Sequence, residues 1–126
     1  MTELTRGGKP MSNHWDQWVK FSKLGDAELV ILTGEIDLAN SGEIGKAIVG
    51  RIRDSGKVLI DLTTVSFLDS AGVRLLDALV GDLAALGKRA RLVVGERGPA
   101  RMTLELCAFR EDVLSTDRDR AAAELG

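Results

Sequence analysis

The sequence predicts an α/β protein built on a mixed, mostly parallel sheet of four to five strands, opening with a hairpin and flanked by about four helices. Three observations predict it. Two strand-like stretches near the start are joined by the short Gly25-Asp26 turn. Beyond them, apolar runs rich in β-branched residues alternate with stretches whose apolar residues recur every three or four positions. At 126 residues the chain has the length of one domain and enough side chains to bury a core.

Residues 18–24 form the first expected strand, with Trp18, Lys20, Ser22 and Leu24 on one face and Val19, Phe21 and Lys23 on the other. Residues 28–33 form the second. Its apolar positions Leu29, Val30, Ile31 and Leu32 are continuous, as in a strand covered on both faces. Ser41 precedes a helix carrying Ile44, Ala47, Ile48 and Ile52; Gly45 and Gly50 weaken its propensity, so packing must hold it, and Ser55-Gly56 ends it. Strand 57–62, helix 70–86 with Val73, Leu76, Val80, Leu83 and Leu86 at helical spacing, cap Gly87 and strand 90–94 then spell one βαβ unit. Its strands should be parallel and its crossover right-handed. Pro99 opens a further helix to about residue 108, since proline is tolerated in a first helical turn. A short strand is expected at 113–115, and a terminal helix at 117–125 that turns Ala121, Ala122 and Leu125 inward.

Composition narrows the function. Seventeen basic and 19 acidic residues leave a net charge of −2, without the basic surface that nucleic-acid binding calls for. The lone Cys107 excludes an internal disulfide and any multi-cysteine metal site, and its apolar setting suggests a small buried hydrophobe. No apolar run approaches 18 residues, and the N-terminus lacks the apolar core of a signal peptide, so a cytoplasmic protein is expected. Residues 1–14, with the Gly7-Gly8-Lys9-Pro10 breaker cluster, read as a flexible tail ahead of a domain over 15–126. With no long apolar stripe left over once the core is filled, a monomer is expected.

The turn at Asp69-Ser70 is the most informative position. It falls at a helix N-terminus, where free backbone N–H groups and the helix dipole favour an anion. A phosphoryl group on Ser70 would sit there with little helix strain and would change what docks on the surface. Asp and Ser are also preferred N-caps, so spacing alone leaves both roles open. Other chemistries are poorly served. Ser70 is not in a Gly-x-Ser-x-Gly elbow, and the only histidine, His14, falls in the expected tail. Asp37, Asp61 and Asp69 invite comparison with a phosphoaspartyl receiver. However, Val93-Val94-Gly95-Glu96 supplies no lysine, and Asp61, inside a strand, is expected to pair with backbone or an arginine. Gly34 and Gly42 flank a loop, but no Gly-x-x-x-x-Gly-Lys-Ser/Thr phosphate cradle occurs. Arg97 and Arg101, flanking Pro99, read as solvated arginines.

The strand, the Asp69-Ser70-Ala71-Gly72 turn and the following helix resemble the signature of the STAS domain, the anti-sigma factor antagonist family. Upstream, Leu32-Thr33-Gly34-Glu35-Ile36-Asp37-Leu38 is similar to the family's first signature, and Pro99-Ala100-Arg101 with Leu104-Glu105-Leu106 to its late helix. The three motifs follow family order over residues 18–125. The resemblance implies a non-enzymatic switch without a cofactor. Unphosphorylated, the domain would dock on an anti-sigma serine/threonine kinase and release a sigma factor; the kinase would phosphorylate Ser70 and a serine phosphatase would restore it. The implied contact surface comprises Asp37, Leu38, Asn40 and Ser41, the turn Asp69, Ser70, Ala71 and Gly72, and Arg74 and Asp77 on the helix. Ala71 replaces a second serine often found there, and Cys107-Ala108-Phe109-Arg110 replaces the usual Gly-Leu. Some STAS domains are linked to nucleotides, which stays open, and others serve as interaction modules in scaffolds or transport-associated complexes without a phosphorylation cycle.

Overall fold

Five strands, β1 (Val19–Leu24), β2 (Ala27–Ile36), β3 (Lys57–Leu68), β4 (Arg89–Val93) and β5 (Leu114–Ser115), lie side by side in chain order. The computed structural model describes residues 14–52 and 54–125. The tail expected over residues 1–14 therefore lies, His14 apart, outside the described residues; His14 opens a 3-10 turn, His14–Gln17. Among the described residues four helices accompany the sheet: α1 (Ser41–Arg51), α2 (Ser70–Ala85), α3 (Pro99–Leu106) and α4 (Arg118–Leu125). β1 and β2 pair antiparallel across the Gly25-Asp26 turn, and every other neighbouring pair is parallel. This is the mixed sheet that the sequence predicts.

The main departure concerns strand length. The sequence pattern ends the second and third strands near residues 33 and 62, whereas the paired ladder continues to Ile36 and Leu68. β3 makes this run with bulges: Ile31 and Thr33 face Asp61 and Thr64, and Gly34 and Glu35 face Val65 and Phe67. Side chains seal the first irregularity. Thr64 Oγ1 donates to the Leu32 carbonyl at 2.9 Å, and Thr33 Oγ1 donates to the Thr64 carbonyl at 3.3 Å. Thr63, Thr64 and Ser66 imitate a polar turn in the sequence because they face solvent, while Val65 among them and Leu68 beyond them are buried. β4 follows β3 only as far as Asp61, and α3 packs against β3.

The two sheet faces are unequal. One carries the main core, where Val30, Leu32, Ile60, Leu62 and Leu92 meet Ile44 and Ile48 of α1, Leu76 and Leu83 of α2, and Leu104 of α3. α2 ends in a turn where the Lys88 N–H reaches the Leu83 carbonyl and the Gly87 N–H that of Ala84; Gly87 takes φ +78°, which a Cβ would oppose. Two expectations fail at the late helix. α3 stops at Leu106, so Cys107 is exposed at its C-cap, and the chain reverses through Ala108 at φ 53° to bury Phe109 instead. Arg101 is not solvated: its side chain is 13 % exposed, and Nε donates to the Gly95 carbonyl at 3.0 Å.

The other face holds a small core of Ala27, Leu29, Leu59 and Val93 under Ala121 and Leu125 of α4. Polar anchors reinforce this small apolar contact. Ser115 Oγ donates to Glu124 Oε1 at 2.6 Å, Arg91 pairs with Glu124, and Arg118 Nε donates to Asp61 Oδ2. Asp61 is 1 % exposed, and its Oδ1 also accepts from the Thr63 N–H at 2.8 Å and Oγ1 at 2.7 Å. The expected pairing of Asp61 with backbone and an arginine is therefore present. Burial pushes its carboxyl upward, but the Thr63 and Arg118 hydrogen bonds outweigh this and hold it below the ordinary carboxylate range.

A carboxyl that titrates lower when folded adds stability above its unfolded pKa of about 4 and loses it as pH falls through the folded value. Asp61→Asn keeps the shape but gives up the charged partner of Arg118, so urea unfolding at pH 7 should show a loss of about 1–2 kcal/mol. The gap between native and variant should narrow by pH 3. A gap unchanged from pH 7 to pH 3 would refute this role for Asp61.

Candidate functional site

The paired carboxyl ends of β2 and β3 deliver two loops to one place. After Ile36 the chain turns on Asp37, whose carbonyl accepts from the N–H groups of Asn40 and Ser41 and whose Oδ1 accepts from the Ala39 N–H at 3.0 Å. Asn40 closes the turn from inside. Its Oδ1 accepts from the Asp37 N–H at 2.9 Å, and its Nδ2 donates to the Glu35 carbonyl at 2.8 Å. The loop is thus held by its own polar side chains, which leaves Leu38 projecting, 75 % exposed.

After Leu68, Asp69 caps α2 in extended backbone conformation, its Oδ1 accepting from the Gly72 N–H at 2.9 Å. Its Oδ2 accepts from the Leu38 N–H at 3.3 Å, and its own N–H donates to the Ile36 carbonyl at 3.3 Å. One carboxylate therefore ties both loops together. Gly72 permits the approach, since a Cβ there would lie 2.4 Å from Leu68 Cδ1 and 3.0 Å from the Ile36 oxygen. Capping falls to Asp69, so Ser70, the first residue of α2, is exposed and its side chain makes no hydrogen bond among the described residues.

Beside this turn a hollow of about 260 Å³ opens between the first loop and α2, lined by Leu38, Ser41, Gly42, Ala71, Arg74 and Leu75. Arg74 is its one charged wall. Asp77, a turn further along α2, is exposed and lies toward Arg110, whose guanidinium holds its proton more tightly because of Asp112 first and Asp77 more weakly. A larger apolar groove of about 510 Å³ between α1 and α2 shares Ser41, Gly42 and Leu75 with the hollow.

Of the residues singled out in the sequence, Leu38, Ser70, Arg74 and Asp77 lie exposed at this end of the sheet, with Asp37 and Ser41 partly so. Asn40, Ala71 and Gly72 are buried and shape the surface from beneath. Asp61 is not part of the group: it lies earlier on β3, on the α4 face. Among the described residues no cluster of three or more His, Cys, Asp or Glu could hold a metal ion, and no helix is long and apolar enough to cross a membrane. Sequence reasoning passed over two positions here. Phe67 is 48 % exposed beside the turn, and its signal was the alternation with buried Leu68; Leu75, which lines both depressions, had none that set it apart from core leucines.

No curated protein matches the sequence. The fold recurs in an anti-sigma factor antagonist from Mycobacterium paratuberculosis, with a TM-score of 0.73 and 23 % identity over 85 % of this chain and 92 % of that one. It recurs in the Bacillus cell fate determinant SpoIIAA in its phosphorylated form, with a TM-score of 0.62 and 18 % identity over 84 % of this chain and 96 % of that one. It is also present within the murine anion transporter Slc26a9, with a TM-score of 0.66 and 14 % identity over 82 % of this chain but 18 % of the transporter. The STAS domain model matches residues 22–123, nearly the whole described chain, and the protein belongs to the STAS domain family.

Proposed function

We propose that this protein is an anti-sigma factor antagonist that binds an anti-sigma serine/threonine kinase while Ser70 is unphosphorylated. The observation that carries this reading is the unengaged Ser70 hydroxyl, presented on a turn that Asp69 and Asn40 hold rigid. The γ-phosphoryl group of ATP passes to Ser70 Oγ, the hydroxyl proton is lost and ADP departs. A serine phosphatase restores the hydroxyl by hydrolysis, water taking up the phosphoryl group to leave inorganic phosphate, and docking of the unmodified form frees the kinase's sigma factor. Leu38, Ser41, Arg74 and Asp77 supply the contact face. The proposed setting is cytoplasmic, with the domain at 15–126 acting as a monomer and no catalytic group of its own.

The energetics favour a sharp response. A dianion brought into a tight interface beside Asp69 faces like-charge repulsion and a desolvation cost of several kcal/mol. Each 1.4 kcal/mol or so lowers affinity about tenfold. The transporter relative favours a second reading, a STAS interaction module without a phosphorylation cycle, in which Ser70 is no more than the first residue of a capped helix.

Intact-mass and peptide mapping after incubation with ATP and the host's candidate kinases should find one phosphoryl group, on Ser70, that is absent from Ser70→Ala. No modification by any candidate kinase favours the module reading. By calorimetry with the modifying kinase, Ser70→Ala should bind like the unmodified chain, and Ser70→Asp should bind at least tenfold more weakly. Equal affinities for the two variants would sink the switch.

A further inference from the structure

Arg74 stands one helical turn beyond Ser70 on α2, and both residues are exposed. Residues four apart in a helix share a face, with Cβ atoms about 5–6 Å apart. Among the described residues the Arg74 side chain makes no ion pair or hydrogen bond. The acidic groups nearest along the chain do not claim it. Asp69 is held by the N–H groups of Gly72 and Leu38, and neither it nor Asp77 forms an ion pair with Arg74. The guanidinium is therefore left as the one charged wall of the hollow beside the turn.

We propose that Arg74 receives a phosphoryl group placed on Ser70, so that phosphorylation withdraws the cation of the hollow while adding negative charge beside it. The proposal rests on Ser70 being the modified residue. A phosphomonoester offers three acceptor oxygens, and a guanidinium presents paired N–H donors that match two of them. Before modification, an open hollow with a free guanidinium suits a carboxylate side chain of the partner. After modification, that carboxylate meets a neutralised arginine and a dianion. One covalent change thus removes an attraction and introduces a repulsion, which a loop serine without an arginine a turn away could not do.

The test uses the full chain with phosphoserine installed at position 70 during translation, so that no kinase is needed. Phosphorus NMR follows the phosphate's second ionisation in this chain and in its Arg74→Ala counterpart. An exposed pair of this kind should lower that ionisation by about 0.4 unit relative to Arg74→Ala, with Arg74→Lys in between. Asp37 and Asp69 at the paired loops, Glu43 in the first turn of α1 and Asp77 further along α2 are common to all three chains, so the comparison isolates position 74. The Arg74 Nε–H resonance should also shift between the unmodified and phosphorylated chains. Identical titrations with and without Arg74, together with an unmoved Nε–H signal, overturn the proposal. Failure of every kinase to modify Ser70 would instead count against the reading of the site, and the NMR comparison would still decide whether Arg74 takes up the phosphate.

Discussion

The parallel ladder between β2 and β3 is the constraint on which the rest depends. It runs from Glu28 beside Val58 to Ile36 beside Leu68, and it is the longest pairing in the sheet. Two strands that start level and finish level must discharge their following loops side by side, at the carboxyl edge where open α/β sheets place their sites. β3 has to spend extra residues in bulges to stay level, and the hydroxyls of Thr33 and Thr64 satisfy backbone groups that the irregularity would strand. Without that extension Asp69 would stop short of Ile36 and Leu38, and the two loops would have no shared carboxylate.

Two aspartates on this one strand region show how position divides labour. Asp61 is buried under α4, with its oxygens accepting from Thr63 and Arg118, and it acts on stability. Asp69 sits where the strand becomes a helix and uses both oxygens on backbone N–H groups, so it acts on the shape of the surface. The residue type is the same. The difference is that a strand interior offers only side-chain and local partners, whereas a helix start offers unpaired N–H donors.

Much of this was legible in the sequence where one local rule dominates. The helical spacing from Val73 to Leu83, the cap at Gly87 and the proline at the start of α3 each have a single strong cause, and the structure carries all three. What the sequence conceals is non-local. Thr63, Thr64 and Ser66 look like a turn until β2 is placed alongside them. Cys107 sits among apolar neighbours in the chain, yet α3 ends one residue earlier and Phe109 takes the buried place. Asn40 carries a polar side chain that suggests a surface role, and its bonds to the Asp37 N–H and the Glu35 carbonyl explain why it is buried. Arg101 likewise depends on Gly95, across a turn that no periodicity describes.

A switch at this position would act through charge rather than through refolding. Ser70 occupies the first helical residue, where an anion is stabilised by about 0.3–1 kcal/mol, so a phosphate does not oppose the helix that bears it. Asp69 has already satisfied the Gly72 N–H, and the loop at Asp37 is closed by Asn40, so neither loop relies on the Ser70 hydroxyl for its shape. The shape of the two loops thus does not depend on the hydroxyl that the proposed function modifies. The desolvation cost, and the strengthening of the repulsion from Asp69 as water is excluded, arise only when a second molecule covers the turn. In the proposed switch that separation would let the domain change its affinity while keeping one backbone structure, and it would follow from giving the cap to Asp69 and leaving Ser70 free.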